Sequence, residues 1–121
     1  MNQRRQAAER AGRSAETLCV WWLMLRGWRI LARRSRHAVG EIDIVAMRRG
    51  VVAFIEVKAR RDVAAAAESI AARQQQRIAR AAAAFLQRQP HLAAHDQRFD
   101  VMLVAPWRLP VHIPNAWHIL R

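Results

Sequence analysis

The chain has 121 residues, 53% of them apolar, and a formal net charge of +12 from 21 basic and 9 acidic side chains. That length leaves room for one cored domain and not two, the apolar share excludes an unfolded polyelectrolyte, and one cysteine excludes an internal disulfide or a thiolate metal cluster. So large an excess of guanidinium is expected to face a polyanion, and nucleic acid is the usual one; an arginine-rich composition without such a partner is the plainer alternative.

Residues 2 to 26 lack proline and are rich in Ala, Arg, Glu and Leu, which predicts a helix. Ala11, Ala15, Leu18, Trp22 and Leu25 recur at helical spacing as its expected buried face, with Glu16 beside that face and Gly27 as the stop. Cys19 reads as a small buried apolar residue. The run "LCVWWLML" is not a signal-peptide core, because Glu9 and Glu16 precede it and "RGWR" follows, and eight apolar residues are too few to cross a bilayer. With Trp22 and Leu25 assigned to the core, a membrane-surface role is disfavoured, and the expectation is a soluble, cytoplasmic protein without a membrane partner.

"WRILARR" predicts a short strand with Trp28, Ile30 and Ala32 on one face. "GEIDIVAM" and "VVAFIEVKA" predict two more, joined at "RRG" as an antiparallel hairpin. "DVAAAAESIAA" reads equally as a loop or an early helical turn. From Arg73 to Gln89, Ile78, Ala81, Ala82, Phe85 and Leu86 form a stripe of period 3.6 that Pro90 ends. "RFDVMLVAP" alternates Phe99, Val101 and Leu103 against Asp100, Met102 and Val104, a further strand, and "VHIPNAWHILR" adds a last short strand or turn. The order of helix, three strands, helix, one or two strands predicts a single α/β domain over residues 1–121, with a mixed sheet flanked by helices.

The hairpin carries the chemistry. Alternation places Glu41, Asp43 and Val45 on one face of its first strand and Ile42 and Ile44 on the other. On the second strand Phe54, Glu56 and Lys58 share a face. A two-residue turn at Arg49 and Gly50 pairs positions that sum to 99, so that Asp43 is expected opposite Glu56 and Glu41 opposite Lys58, with Cβ atoms roughly 5 Å apart. Two carboxylates that close repel unless a cation sits between them. Lys58 supplies one charge, and a hard divalent ion such as Mg²⁺, which prefers oxygen ligands and keeps water, would supply the rest and activate a water toward a phosphodiester. Lys58 is also the chain's one lysine against 20 arginines, and its compact, titratable ammonium is not interchangeable with a guanidinium. On the residues alone, a cross-strand salt bridge such as Glu41 with Lys58 stands equally with a metal site.

"GEIDIVA", "FIEVKAR", "RIARAAAAFL" and "RFDVMLV", in this order and spacing, resemble the YraN family of small bacterial proteins over about residues 12 to 117. That family is related to restriction-endonuclease-like and archaeal Holliday-junction-resolvase nucleases, whose signature is an Asp followed by Glu-x-Lys. The resemblance implies a restriction-endonuclease-like core and a metal-dependent endonuclease acting on DNA, branched or structured DNA among its substrates, with Mg²⁺ as cofactor and Mn²⁺ as a substitute. It makes Asp43 and Glu56 metal ligands and Lys58 the catalytic lysine. Glu16 matches the glutamate that related resolvases bring to the metal, and Glu41 is a further candidate ligand. Two positions depart from the family: Gln74 stands where a lysine is common, and Arg34 where an asparagine often follows the first strand. A nuclease fold kept only for binding nucleic acid is the alternative.

Arginines flank these motifs. Arg73, Arg77, Arg80 and Arg88 lie opposite the apolar stripe of the second helix, Arg33, Arg34 and Arg36 precede the motif strand, and Arg48, Arg49, Arg60 and Arg61 bracket the hairpin. Spread along a surface they would follow a phosphate backbone, with DNA ahead of RNA as partner; Arg33, Arg34, Arg36, Arg60, Arg73, Arg77 and Arg80 are the expected contacts. Kinship with dimeric resolvases is compatible with a homodimer. Trp22 and Trp28 are expected in the core and Trp21 outside it, His37, His112 and His118 lack a zinc spacing, and Asp100 is expected to pair with an arginine.

Overall fold

The computed structural model describes residues 3–59 and 70–117. Helix α1 (Gln3–Leu25) leads into strands β1 (Arg29–His37), β2 (Gly40–Arg48) and β3 (Val51–Ala59). Helix α2 (Ala72–Arg88) and a 3-10 turn (Pro90–Leu92) then precede β4 (Asp96–Val104) and β5 (Val111–Trp117). The strands form one sheet in chain order, antiparallel throughout except that β3 and β4 run parallel. A parallel pair cannot be closed by a tight turn, so the chain between them crosses the sheet, and α2 lies in that crossover. This is a mixed α/β sheet flanked by two helices, consistent with a restriction-endonuclease-like core.

Each helix covers one face. Ile78, Ala81, Ala82 and Phe85 of α2 pack on Val45, Val52, Phe54, Val101 and Leu103. Here Phe54 meets Phe85 edge-on at 6.2 Å and Phe99 at 5.8 Å, and Phe99 stacks on Trp117 at 5.3 Å. On the other face Cys19, Val20 and Leu23 of α1 cluster with Trp28, Ile44, Ala46, Ala53, Ile55 and Met102. Burial pushes the Cys19 thiol up to about 12, so it is inert. Gly27, at φ +88°, ends α1: its N–H reaches the Met24 carbonyl and the Trp28 N–H the Leu23 carbonyl, the paired bonds of a Schellman stop. Arg49 and Gly50 both take positive φ, 52° and 77°, the geometry of a two-residue hairpin turn, and Arg48 pairs with Val51.

Three expectations about faces are corrected. The buried side of α1 is Ala15, Glu16, Cys19, Val20 and Leu23, while Leu18 and Leu25 are exposed and Trp22 is half-buried; Ala11 lies outside the described side chains. An ion-paired glutamate and a cysteine occupy positions that an apolar count skips. Ala32 packs on the α2 side, opposite Trp28 and Ile30, because the register with β2 shifts between Ile30 and Ala32. Ile42 likewise packs on the α2 side with Val45, while Ile44 packs on the α1 side. Regular alternation would put residues 42 and 44 together, so β2 is irregular at Asp43. Among the described residues no helix is long and apolar enough to cross a membrane.

Candidate active site

The irregularity at Asp43 builds the site. The β2–β3 ladder runs from Arg48↔Val51 to Ile44↔Ile55 and goes no further. Instead of continuing it, the Asp43 carboxylate accepts the Val57 N–H at 2.9 Å, taking the place of a strand carbonyl. Asp43 and Glu56 are not register partners, and they influence each other through their side chains, the Asp43 charge acting on Glu56. The expected Glu41–Lys58 pair does not form. Glu41 lies at the exposed rim, 3.2 Å from Arg36, and Lys58 Nζ turns to Glu56 at 3.7 Å. The ladder that would have carried Glu41 to Lys58 has already ended at Ile44.

Glu56 is buried, faces α2, and accepts a hydrogen bond from Gln74 Nε2 at 3.2 Å. Burial first, and the Asp43 charge second, push the Glu56 carboxyl up to about 8, with Lys58 pulling the other way. Asp43 is raised too, mainly by burial and despite its bond from Val57. Neighbouring carboxyls are pushed toward the protonated form when too little positive charge is near them.

Glu16 reaches the same cleft, of about 460 Å³, from α1. It is buried, and two arginines hold it: Arg33 Nε lies 3.3 Å from Oε1 and Arg34 Nε 3.2 Å from Oε2. Arg33 also donates to the Thr17 hydroxyl at 3.0 Å. Arg34 adopts φ +50°, where β1 passes the irregular point of β2. That left-handed conformation suits asparagine, the residue the family resemblance offers at this position. Arg13, Arg34 and Arg36 line the cleft around the acids.

On α2, Arg73, Arg77 and Arg80 are exposed. The β1–β2 turn packs so tightly on this helix that a Cβ at Gly40 would sit 3.2 Å from the Arg77 carbonyl oxygen, which gives the motif glycine a packing reason. Arg77 thereby joins Arg36 and Glu41 in an adjoining groove. Arg60, Arg61 and His118 lie outside the described residues. Two site residues were not singled out as such from sequence. Gln74, set aside as a departure, touches Glu56, and Arg13 lies one helical turn before Glu16 on the same face of α1.

Elsewhere among the described residues, buried His37 Nδ1, His95 Nδ1 and Trp117 Nε1 have no hydrogen-bond partner. His37 Nε2 lies 2.8 Å from the Ser35 hydroxyl, and Asp100 pairs with Arg98, as expected. Among the described residues no three His, Cys, Asp or Glu side chains converge in a way that could hold a metal ion together. Two carboxylates do meet, and one or two carboxylates with retained water is the ordinary protein share of a Mg²⁺ shell, so Asp43 and Glu56 fit that ion without a third acid.

A family model described as "Uncharacterised protein family UPF0102" matches residues 15–104. A UPF0102 protein of Paramagnetospirillum magneticum is 53% identical over 118 residues, covering 94% of this chain and 92% of the relative. One from Rhizorhabdus wittichii is 48% identical over 115 residues, with 95% and 97% covered. One from Rhodopseudomonas palustris is 54% identical over 113 residues, with 93% and 86% covered.

Proposed function

The chain belongs to the uncharacterised protein family UPF0102, and on that premise we propose that it is a metal-dependent endonuclease that hydrolyses phosphodiester bonds in DNA, with branched or structured DNA as the first substrates to try. The observation that carries this reading is the Asp43–Glu56 pair. A buried carboxyl, Glu56, and a half-buried one, Asp43, both shifted toward the protonated form, lie in an arginine-lined cleft, with one ammonium 3.7 Å from Glu56. Such a pair is short of positive charge, and a divalent cation corrects the shortage.

Asp43 and Glu56 would hold Mg²⁺, or Mn²⁺ in its place. When bound, the ion polarises the scissile phosphate and makes a water more acidic. Hydrolysis requires a water oxygen to attack phosphorus, one ester P–O bond to break, the water to lose a proton and the leaving oxygen to gain one. The Lys58 ammonium orients the water and meets the charge that develops on the phosphate oxygens. Gln74 fixes the Glu56 carboxyl through its amide. Arg13, Arg34 and Arg36 receive the flanking phosphates, with Arg77 beyond them.

The test is nicking of branched, duplex and single-stranded DNA in Mg²⁺ or Mn²⁺. Cutting is expected, and Asp43→Ala and Lys58→Ala should abolish it while DNA binding persists. A calorimetric Mn²⁺ titration should show one site in the wild type and none in Asp43→Ala. Failure to cut any of the three DNAs, together with a flat titration, removes the reading. One observation favours a second reading, a nuclease fold used only to bind nucleic acid: the third acid, Glu16, is occupied by Arg33 and Arg34. That protein would bind DNA in a salt-sensitive way with or without metal and lose little on Asp43→Asn.

A further inference from the structure

At the far end of α1 lies a second cleft of about 290 Å³, lined by Trp22, Arg26, Trp28, Arg48, Pro110 and His112. Its chemistry is lopsided. The Arg26 guanidinium lies 4.6 Å over the Trp22 ring, and Arg48 lies 4.7 Å over Trp28. Arg48 is held there by donating to the Arg26 carbonyl at 2.9 Å. Arg98 also lies over Trp28, at 5.4 Å, but its charge is spent on Asp100 in a two-pronged pair at 2.9 Å. Asp100 fixes the imidazole as well, accepting from His112 Nε2 at 2.7 Å. Among the described residues no carboxylate lines this cleft, and none pairs with Arg26 or Arg48.

We propose that this cleft is a binding subsite for a nucleoside phosphate, the phosphate held between Arg26 and Arg48 beside His112, the base laid on Trp22. Two guanidiniums without a carboxylate attract an anion, and a phosphate takes paired N–H donors from each. A half-buried indole next to them accepts a flat ring by stacking. Trp28 is 4% exposed and serves as the floor. The nucleotide is either free or one unit of a strand. The second case deepens the nuclease reading and rests on it, because the polymer would then be held at both ends of α1.

Indole N–H resonances of the ¹⁵N-labelled protein, assigned with Trp22→Phe, report the site directly. They are followed without divalent metal during titration with inorganic phosphate, thymidine 5′-monophosphate and hexathymidylate. The mononucleotide, the oligonucleotide or both should shift the Trp22 and Trp28 signals saturably and leave Trp107 unmoved. Response to both assigns the site to a free or terminal nucleotide, and response to the oligonucleotide alone assigns it to a strand. Arg26→Gln, a change at an exposed side chain, should weaken binding about tenfold, the loss of one charged contact of about 1.4 kcal/mol. Asp43→Asn should leave the titration unchanged, so this site and the metal-dependent cleft fail separately. The absence of a saturable shift with either nucleotide, an undiminished response in Arg26→Gln, or equal affinity for inorganic phosphate would each overturn the proposal.

Discussion

Two buried acidic centres sit side by side in the sheet and behave oppositely. Ile55 of β3 pairs with Asp100 of β4, so Glu56 and Asp100 are one residue apart in register, on opposite faces. Asp100 is fully buried and receives four bonds: two from Arg98, one from His112 and one from the Asn115 N–H at 3.0 Å. Those donors outweigh desolvation and hold its carboxyl below the usual range. Glu56 has one amide and one ammonium at 3.7 Å, its neighbour is another acid, and it rises to about 8. Burial is common to both. The count of donors separates them, marking Asp100 as structural and the Asp43–Glu56 pair as a place still lacking positive charge.

The largest expected effect tests that contrast directly. Asp100→Asn leaves the Arg98 charge without its partner and should cost about 3–5 kcal/mol in urea denaturation. Asp43→Asn in metal-free protein at pH 8 removes like-charge repulsion and should be neutral or stabilising. Equal losses from the two substitutions would break the comparison.

Next comes pH. A carboxyl raised in the folded state contributes stability that is present below its unfolded pKa and is lost as pH rises through the folded one. For Glu56 that window runs from the ordinary 4.5 to about 8. Metal-free wild type should therefore lose stability relative to Glu56→Gln across this range, by no more than about 1.4 kcal/mol per pH unit for one proton. The difference between the two proteins isolates Glu56 from His37, whose lowered pKa acts in the opposite sense as pH falls below its ordinary 6.5. Asp100 contributes only in acid, where stability is lost as pH falls below the ordinary 3.8. A pH-independent difference would show that Glu56 carries no raised pKa.

A smaller effect is expected from cations. At pH 8, Mn²⁺ at about ten times its dissociation constant should stabilise the wild type by about 1.4 kcal/mol and Asp43→Asn not at all. Equal stabilisation of both proteins would place the ion elsewhere.

Much of this was legible in the sequence because periods of two and 3.6 act locally. Arg49–Gly50 fixed the hairpin turn, the pairing sum of 99 holds from Ile44 to Arg48, and the stripe Ile78, Ala81, Ala82 and Phe85 is the buried face of α2. What escaped depends on side chains that replace backbone. Asp43 takes the Val57 N–H, ending the ladder and sending Glu41 to Arg36 and Lys58 to Glu56. The face of α1 escaped because Glu16 is buried by arginines 17 and 18 residues away, which no local period encodes. β1 runs past the predicted "WRILARR" through "SRH" to His37, a polar end that no apolar alternation marks although it is an edge strand.

Glu16 stands between the two acidic centres, and the smallest prediction uses it. It is buried beside Asp43, yet two guanidiniums balance it, as Asp100 is balanced. The two arginines are not equivalent. Arg34 reaches Glu16 from a backbone at φ +50°, a conformation costing about 1–3 kcal/mol in a residue unsuited to it, whereas Arg33 is absent from the positive-φ positions. Arg33→Gln loses an ion-pair partner and the Thr17 contact with nothing returned. Arg34→Asn loses a partly exposed ion pair, an interaction of about 0–1 kcal/mol, but places in the left-handed region a residue that tolerates it. Arg34→Asn should therefore be the more stable of the two by about 1 kcal/mol. If the two variants melt together, φ at position 34 stores no strain, and Glu16 is held by charge alone.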